Sequence, residues 1–157
     1  MLFRSLAVAG ARGRFIPLLL VAFCALLPAA ASAGGIATAG SPARLAVSVP
    51  PAARGGGVVM LELGIASAHR AAGDHLGALV RLRRPGGQSV ELGRISIVAA
   101  GARRGQRYQF NLAPALRRLD VAGGSAEVEV ELIERGGGGP VASGAALNVG
   151  PARIVTR

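Results

Sequence analysis

The chain has 157 residues, with 18 basic positions that are all arginine, 8 acidic residues and a formal charge of +10. Its single cysteine, Cys24, sits in an apolar N-terminal run, so no disulfide or thiolate metal site can form in the rest of the chain. This length supports one domain with one modest core.

Residues 1–33 have the layout of a secretory signal peptide. Arg4, Arg12 and Arg14 give a basic start, FIPLLLVAFCALLPAAA is apolar without a charge, and Ala31-Ser32-Ala33 places small residues at −3 and −1 of a cleavage site. Cleavage is expected between Ala33 and Gly34, leaving no stable membrane span and a periplasmic or extracellular product. Pro28 and the small residues after it favour cleavage over a retained anchor. No adjacent arginine pair marks twin-arginine export, and Phe23 before Cys24 is too bulky for a lipoprotein box. Subtracting the three leader arginines leaves 15 basic against 8 acidic residues, a formal charge of +7. The exclusive use of Arg, with abundant Ala, Gly and Val, points to a GC-rich bacterial genome. A positive surface attracts polyanions, but the first reading of these arginines is a solvated surface.

Residues 34–43 are small and polar and are expected to form a flexible N-terminal tail, followed by a domain over 44–157. Leu45, Val47 and Val49 alternate with Arg44, Ala46 and Ser48, a half-buried strand stopped by Pro50-Pro51. Val58 to Ala66 is a second strand with Val59, Leu61, Leu63 and Ile65 on one face. Val58 and Met60 make its other face partly apolar, which suits a central position. Ser67 to His75 reads as a loop. Leu76 to Arg83 is a third strand, with Leu76, Ala78, Val80 and Leu82 inward and Arg81 and Arg83 outward. Arg84-Pro85-Gly86-Gly87 turns the chain, and Val90 to Val98 returns, with Gly93 as a candidate bulge.

After a basic loop over 99–105 comes YQFNLAPALRRL, residues 108–119. Beyond the leader, Tyr108 and Phe110 are the remaining aromatic residues. At i and i+2 of a strand they share a face with Leu112, so all three are expected to enter the core, with Phe110 its largest contributor. Pro114 suits the first turn of a helix, and Leu116 and Leu119 give that short helix an apolar side. After DVAGGS, Ala126 to Glu134 is a strand with Val128, Val130 and Leu132 inward and Glu127, Glu129 and Glu131 outward. A glycine linker over 136–140 leads to two short strands, Val141 to Val149 and Ala152 to Val155, around Gly150-Pro151. Seven or eight short strands with one short helix make an all-β antiparallel sandwich.

The candidate sites are few. His69 and His75, beside Asp74, suit Cu, Zn or Ni as ligand types, but six apart in a loop they match no compact pair, and they are read as exposed loop histidines. Ser67, His69 and Asp74 supply the residue types of a hydrolytic triad without a nucleophile elbow. Glu127, Glu129 and Glu131 share a strand face. The spacing invites Ca²⁺, but a calcium site also needs converging loop carbonyls, and the simpler reading is a solvated face paired across the sheet with arginines. Arg81, Arg83, Arg84, Arg103, Arg104 and Arg107 are candidates for one patch that would hold phosphate or sulfate groups. No aromatic residues interleave with them, so stacking on nucleic acid has no support. GGG and GGGG have no P-loop context. No cofactor is implied.

The ordered pieces VMLEL (59–63), VRLRRPGG (80–87), LGRISIV (92–98), YQFNLAPALRRL (108–119), AEVEVELIER (126–135) and LNVGPARI (147–154) resemble the β-sandwich domain at the C-terminal end of tyrosinase and polyphenol oxidase family proteins. Arg81, Arg83 and Arg84 stand where such domains more often have tyrosine, asparagine and leucine. The copper-binding helical domain is missing, and two histidines cannot supply the six imidazoles of a coupled dicopper site. The resemblance therefore implies a lone, exported, non-catalytic accessory domain that covers or stabilises a partner such as a tyrosinase-like enzyme. The alternative is an extracytoplasmic binder of polyanions or envelope polymer acting through the arginine patch.

Overall fold

The computed structural model of the protein describes residues 33–54, 57–69, 76–97, 105–134 and 141–157. Within them the chain forms β1 (Gly35–Thr38), β2 (Ala43–Val49), a 3-10 turn (Pro51–Arg54), β3 (Val59–His69), β4 (Leu76–Arg83), β5 (Ser89–Ser96), β6 (Gln106–Asn111), α1 (Ala113–Arg118), β7 (Gly124–Glu134) and β8 (Ala146–Thr156). Two four-stranded antiparallel sheets face each other, in the orders β1-β8-β3-β6 and β2-β7-β4-β5. The protein is an all-β sandwich with one short helix. The β1–β8 sheet is called the first sheet below, and the β2–β7 sheet the second.

Period-two alternation puts Leu45, Val47 and Val49 of β2 against Val128, Val130 and Leu132 of β7 and Ala78, Val80 and Leu82 of β4. From the first sheet, Val59, Leu61, Leu63 and Ile65 of β3 meet them with Leu147, Val149 and Ala152 of β8. As its two-sided apolar pattern suggests, β3 is central, hydrogen-bonded to both β6 and β8.

Three expectations are corrected. The segment expected as a tail is ordered: β1 pairs with β8 from Gly35 opposite Val149 to Thr38 opposite Ala146, and Ala37 is buried. Its small residues had concealed a short edge strand. Second, β3 runs on to His69 instead of ending at Ala66, so His69 lies on a strand and not in a loop. Third, the two strands expected around Gly150-Pro151 are one bent strand, β8. Leu63 pairs with Ala152 and Ile65 with Val149, so Gly150 and Pro151 together stand against Gly64, and an extra residue in β3, Ala66, restores the pairing beyond. Pro151 is tolerated where β1 has ended and β8 becomes an edge. The glycine linker over 136–140 lies outside the described residues.

The YQFNLAPALRRL segment is strand then helix. Asn111 Oδ1 accepts a hydrogen bond from the Ala113 N–H at 3.0 Å, and Pro114 sits in the first turn. The helix ends with Asp120 at φ 50 while the Val121 N–H bonds the Leu116 carbonyl at 3.0 Å, a Schellman closure with buried Leu116 and Val121 as its apolar pair. Leu112, Ala115, Leu116 and Leu119 are buried. Tyr108 and Phe110 point inward as expected, but both are only partly buried. The largest fully buried side chains are leucines, Leu45, Leu61, Leu63, Leu82, Leu112 and Leu147, so Phe110 is not the main core residue. It lies at the open side of the sandwich against Gly93, where an added Cβ would come within 3.2 Å of the ring. Gly93 stands at the β5 bulge, between Val80–Gly93 and Arg81–Glu91 pairing.

Candidate functional site

Charge on the outer face of the second sheet follows from register. Arg44, Glu129, Arg81 and Glu91 occupy one row across β2, β7, β4 and β5, alternating in sign. Glu129 is the centre. It is 8% exposed although it faces outward, because Arg44 Nε at 3.3 Å, Arg83 Nη1 at 3.2 Å and Arg81 Nη1 at 3.5 Å lay their stems over it. Arg81 also pairs with Glu131, Arg44 with Glu127 at 3.6 Å, and Arg94 with Glu91 at 3.3 Å. The glutamates of β7 are thus a cross-strand ion-pair network. Arg44, which the sequence reading had noted only as an outward residue, is one of its cations.

The proposed arginine patch does not assemble among the described residues. Arg81 and Arg83 are held by carboxylates on the outer face of the second sheet. Arg84 follows them in the β4–β5 turn, beside a shallow pocket of ≈ 260 Å³ that it shares with Arg44, Arg83 and Glu127. Arg107 lies on β6, on the outer face of the other sheet, opposite Gly64. Arg103 and Arg104 lie outside the described residues.

His69 is exposed at the end of β3, opposite Ala146. His75 and Asp74 lie outside the described residues. Among the described residues no three His, Cys, Asp or Glu side chains are grouped to hold a metal. Ser67 Oγ accepts a hydrogen bond from Asn148 Nδ2 at 2.6 Å across the strands. Ala33 and Gly34 directly precede β1, and no described helix is long and apolar enough to cross a membrane.

The outer face of the first sheet is built differently. Glu62 lies at its middle, accepting hydrogen bonds from Arg153 Nε at 2.7 Å and Gln109 Nε2 at 3.1 Å. The Arg153 hydrogen bond, opposed by desolvation and assisted by the charges of Arg153 and Arg107, holds the Glu62 carboxyl below its ordinary range. Above this row, Met60 pairs with Val155. Below it, the Gly64/Gly150-Pro151 bulge opens a groove of ≈ 350 Å³ whose rim carries Arg107, Arg153 and Glu62. The two strands pass close together here, and a Cβ on Gly150 would sit 3.4 Å from the Gly64 carbonyl oxygen, an ordinary van der Waals contact. This groove was not among the sites expected from the sequence. Its available signal was Glu62, the acidic residue in an otherwise apolar strand, together with Gly150-Pro151 interrupting another.

Beside the groove runs β6, an edge strand bonded among the described residues only to β3. The Leu112 N–H bonds the Val59 carbonyl at 2.8 Å. In that register Phe110 opposite Leu61 and Tyr108 opposite Leu63 are hydrogen-bonded pairs, so Arg107, Gln109 and Asn111 turn their main-chain N–H and C=O groups to the free edge.

No protein-family model matches the chain, and no curated protein matches it. Among solved structures, a chain from the structure of infectious bursal disease virus Gt strain aligns with 78% of this chain and 32% of its own length, at 15% identity and a TM-score of 0.24. That degree of likeness carries no argument about function.

Proposed function

We propose that the chain is an exported, non-catalytic accessory domain that binds a protein partner outside the cytoplasm. The observation that carries this reading is the difference between its two outer faces. The second sheet closes its charges on itself through Glu129. The first sheet has a groove comparable in size to the pockets on the second and, in addition, a regular, open edge strand. Ion pairing of this kind consumes Arg81 and Arg83, which the polyanion alternative requires, so the geometry favours a protein partner. A tyrosinase-like copper enzyme is the partner class implied by the sequence resemblance, and the leader-like residues 1–33 support export.

The test is affinity purification of the tagged protein from the extracytoplasmic fraction of its host, with cross-linking and intact-mass measurement. A processed chain beginning at Gly34 in a stoichiometric complex with one protein is the expected result. A chain retaining residues 1–33, or one recovered without a protein partner and retained on heparin in a salt-sensitive manner, would overturn the proposal.

A further inference from the structure

Of the four edge strands, three carry features that discourage strand pairing, and the stretch of β8 left open beyond β1 begins at Gly150-Pro151 and carries the Arg153–Glu62 pair. β1 has four residues, β2 is bracketed by Pro42 and Pro50, and β5 is broken by the Leu92–Gly93 bulge and carries the Arg94–Glu91 pair. β6 has none of these. It stays in unbroken register with β3 over all its residues, and its outward main-chain groups at Arg107, Gln109 and Asn111 form no backbone hydrogen bond among the described residues.

The charge beside that edge is also unsatisfied. Arg44, Arg81, Arg83, Arg94 and Arg153 each have a carboxylate within 4 Å. Arg107 has none among the described residues, and it acts on Glu62 only at longer range. Glu62 is already occupied by Arg153 and Gln109. Arg107 sits at a position whose main chain faces outward. A residue of an added strand bonded opposite it would place its side chain on the same outer face, directly beside the guanidinium.

Resting on the reading of the chain as a partner-binding domain, we propose that β6 is the docking edge, and that it takes an extended acidic segment of the partner as a fifth strand of the first sheet. The main chain of Arg107, Gln109 and Asn111 supplies the hydrogen bonds, and Arg107 selects a carboxylate side chain opposite it. The carboxylate would stand beside Arg107 as Glu129 stands beside Arg81 on the other sheet.

The experiment uses the purified chain and three synthetic eight-residue probes: an alternating Glu/Val peptide, its Lys/Val counterpart, and the Glu/Val peptide N-methylated at alternate amides. Binding is read by fluorescence anisotropy, and site by amide hydrogen exchange followed by NMR. The acidic peptide should bind saturably, and the Lys and N-methylated peptides should not. Arg107→Glu should weaken binding by about tenfold, while Arg81→Ala should leave it unchanged. On binding, the amides of Arg107, Gln109 and Asn111 should slow, whereas those of Tyr108 and Phe110, already bonded to β3, should be slow throughout. Equal binding of the N-methylated peptide, or protection elsewhere than β6, would overturn the proposal. So would slow exchange of the three outward amides in the free protein together with a dimeric mass, because the edge would then belong to a second copy. A natural partner that binds without protecting β6 would sink this inference and leave the partner-binding reading intact.

Discussion

Gly93 and Phe110 show how one contact sets the value of an aromatic residue. The ring closes the side of the sandwich where β5 and β6 belong to different sheets, and it can lie there because Gly93 has no side chain. Phe110 is therefore half-buried, and its truncation should cost less than that of a fully enclosed leucine. Leu61→Ala should cost about 2–5 kcal/mol, Phe110→Ala about 1–3 kcal/mol, and Gln109→Ala less than about 0.5 kcal/mol, all measured by urea denaturation. Gly93→Ala should destabilise by about 1–2 kcal/mol, and less in a Phe110→Leu background, since the two positions share one space. Glu62 supplies a residue-scale pH dependence. Its carboxyl titrates below the usual 4.5 because Arg153 bonds its ionised form. The stabilisation is present above the unfolded-state value and is lost as pH falls through the folded one. Glu62→Gln should flatten the acid limb of a urea-midpoint profile. Tyr108, pushed up by burial, has the opposite window. Its contribution is complete below the ordinary 10.0 and fades as pH rises beyond it, a loss that Tyr108→Phe should remove.

At the scale of elements, the ladder centred on Glu129 is a unit. Removing Glu129 leaves Arg44, Arg81 and Arg83 crowded without their shared anion. Glu129→Ala should cost about 1–3 kcal/mol by urea denaturation, whereas Glu91→Ala, at the exposed edge of the row, should stay within about 0.5 kcal/mol. This network was legible in part. Alternation in AEVEVELIE put its glutamates on one face, and alternation in LVRLR did the same for the arginines. Register, which no single strand specifies, decided that Arg81 stands opposite Glu129 and that Arg83 reaches diagonally to it. The same limit explains the elements that were misread. Gly35–Thr38 carries too few apolar residues to announce a strand and is ordered by pairing with β8. Gly150-Pro151 has the local chemistry of a turn, but the extra residue is absorbed by a bulge against Gly64. The helix after Phe110 was plain because Pro114, Leu116 and Leu119 fix its start and buried side locally.

For the whole molecule, the sandwich assigns its two outer faces different work. Arginines that look like one surface in the sequence are divided between opposite faces. Arg81 and Arg83 serve the fold, and Arg107 is left beside an open edge. The proposed binding site was hidden in the sequence because an edge is a property of strand order, and the β1-β8-β3-β6 order depends on pairings between distant segments. Residue-resolved hydrogen exchange on the complex recovered from the host, compared with the free domain, tests this division most directly. Protection should appear at Arg107, Gln109 and Asn111 on β6, with the outer face of β2, β7, β4 and β5 unchanged. Protection confined to the Arg81–Glu129 face, with β6 exchanging as freely as before, would contradict it.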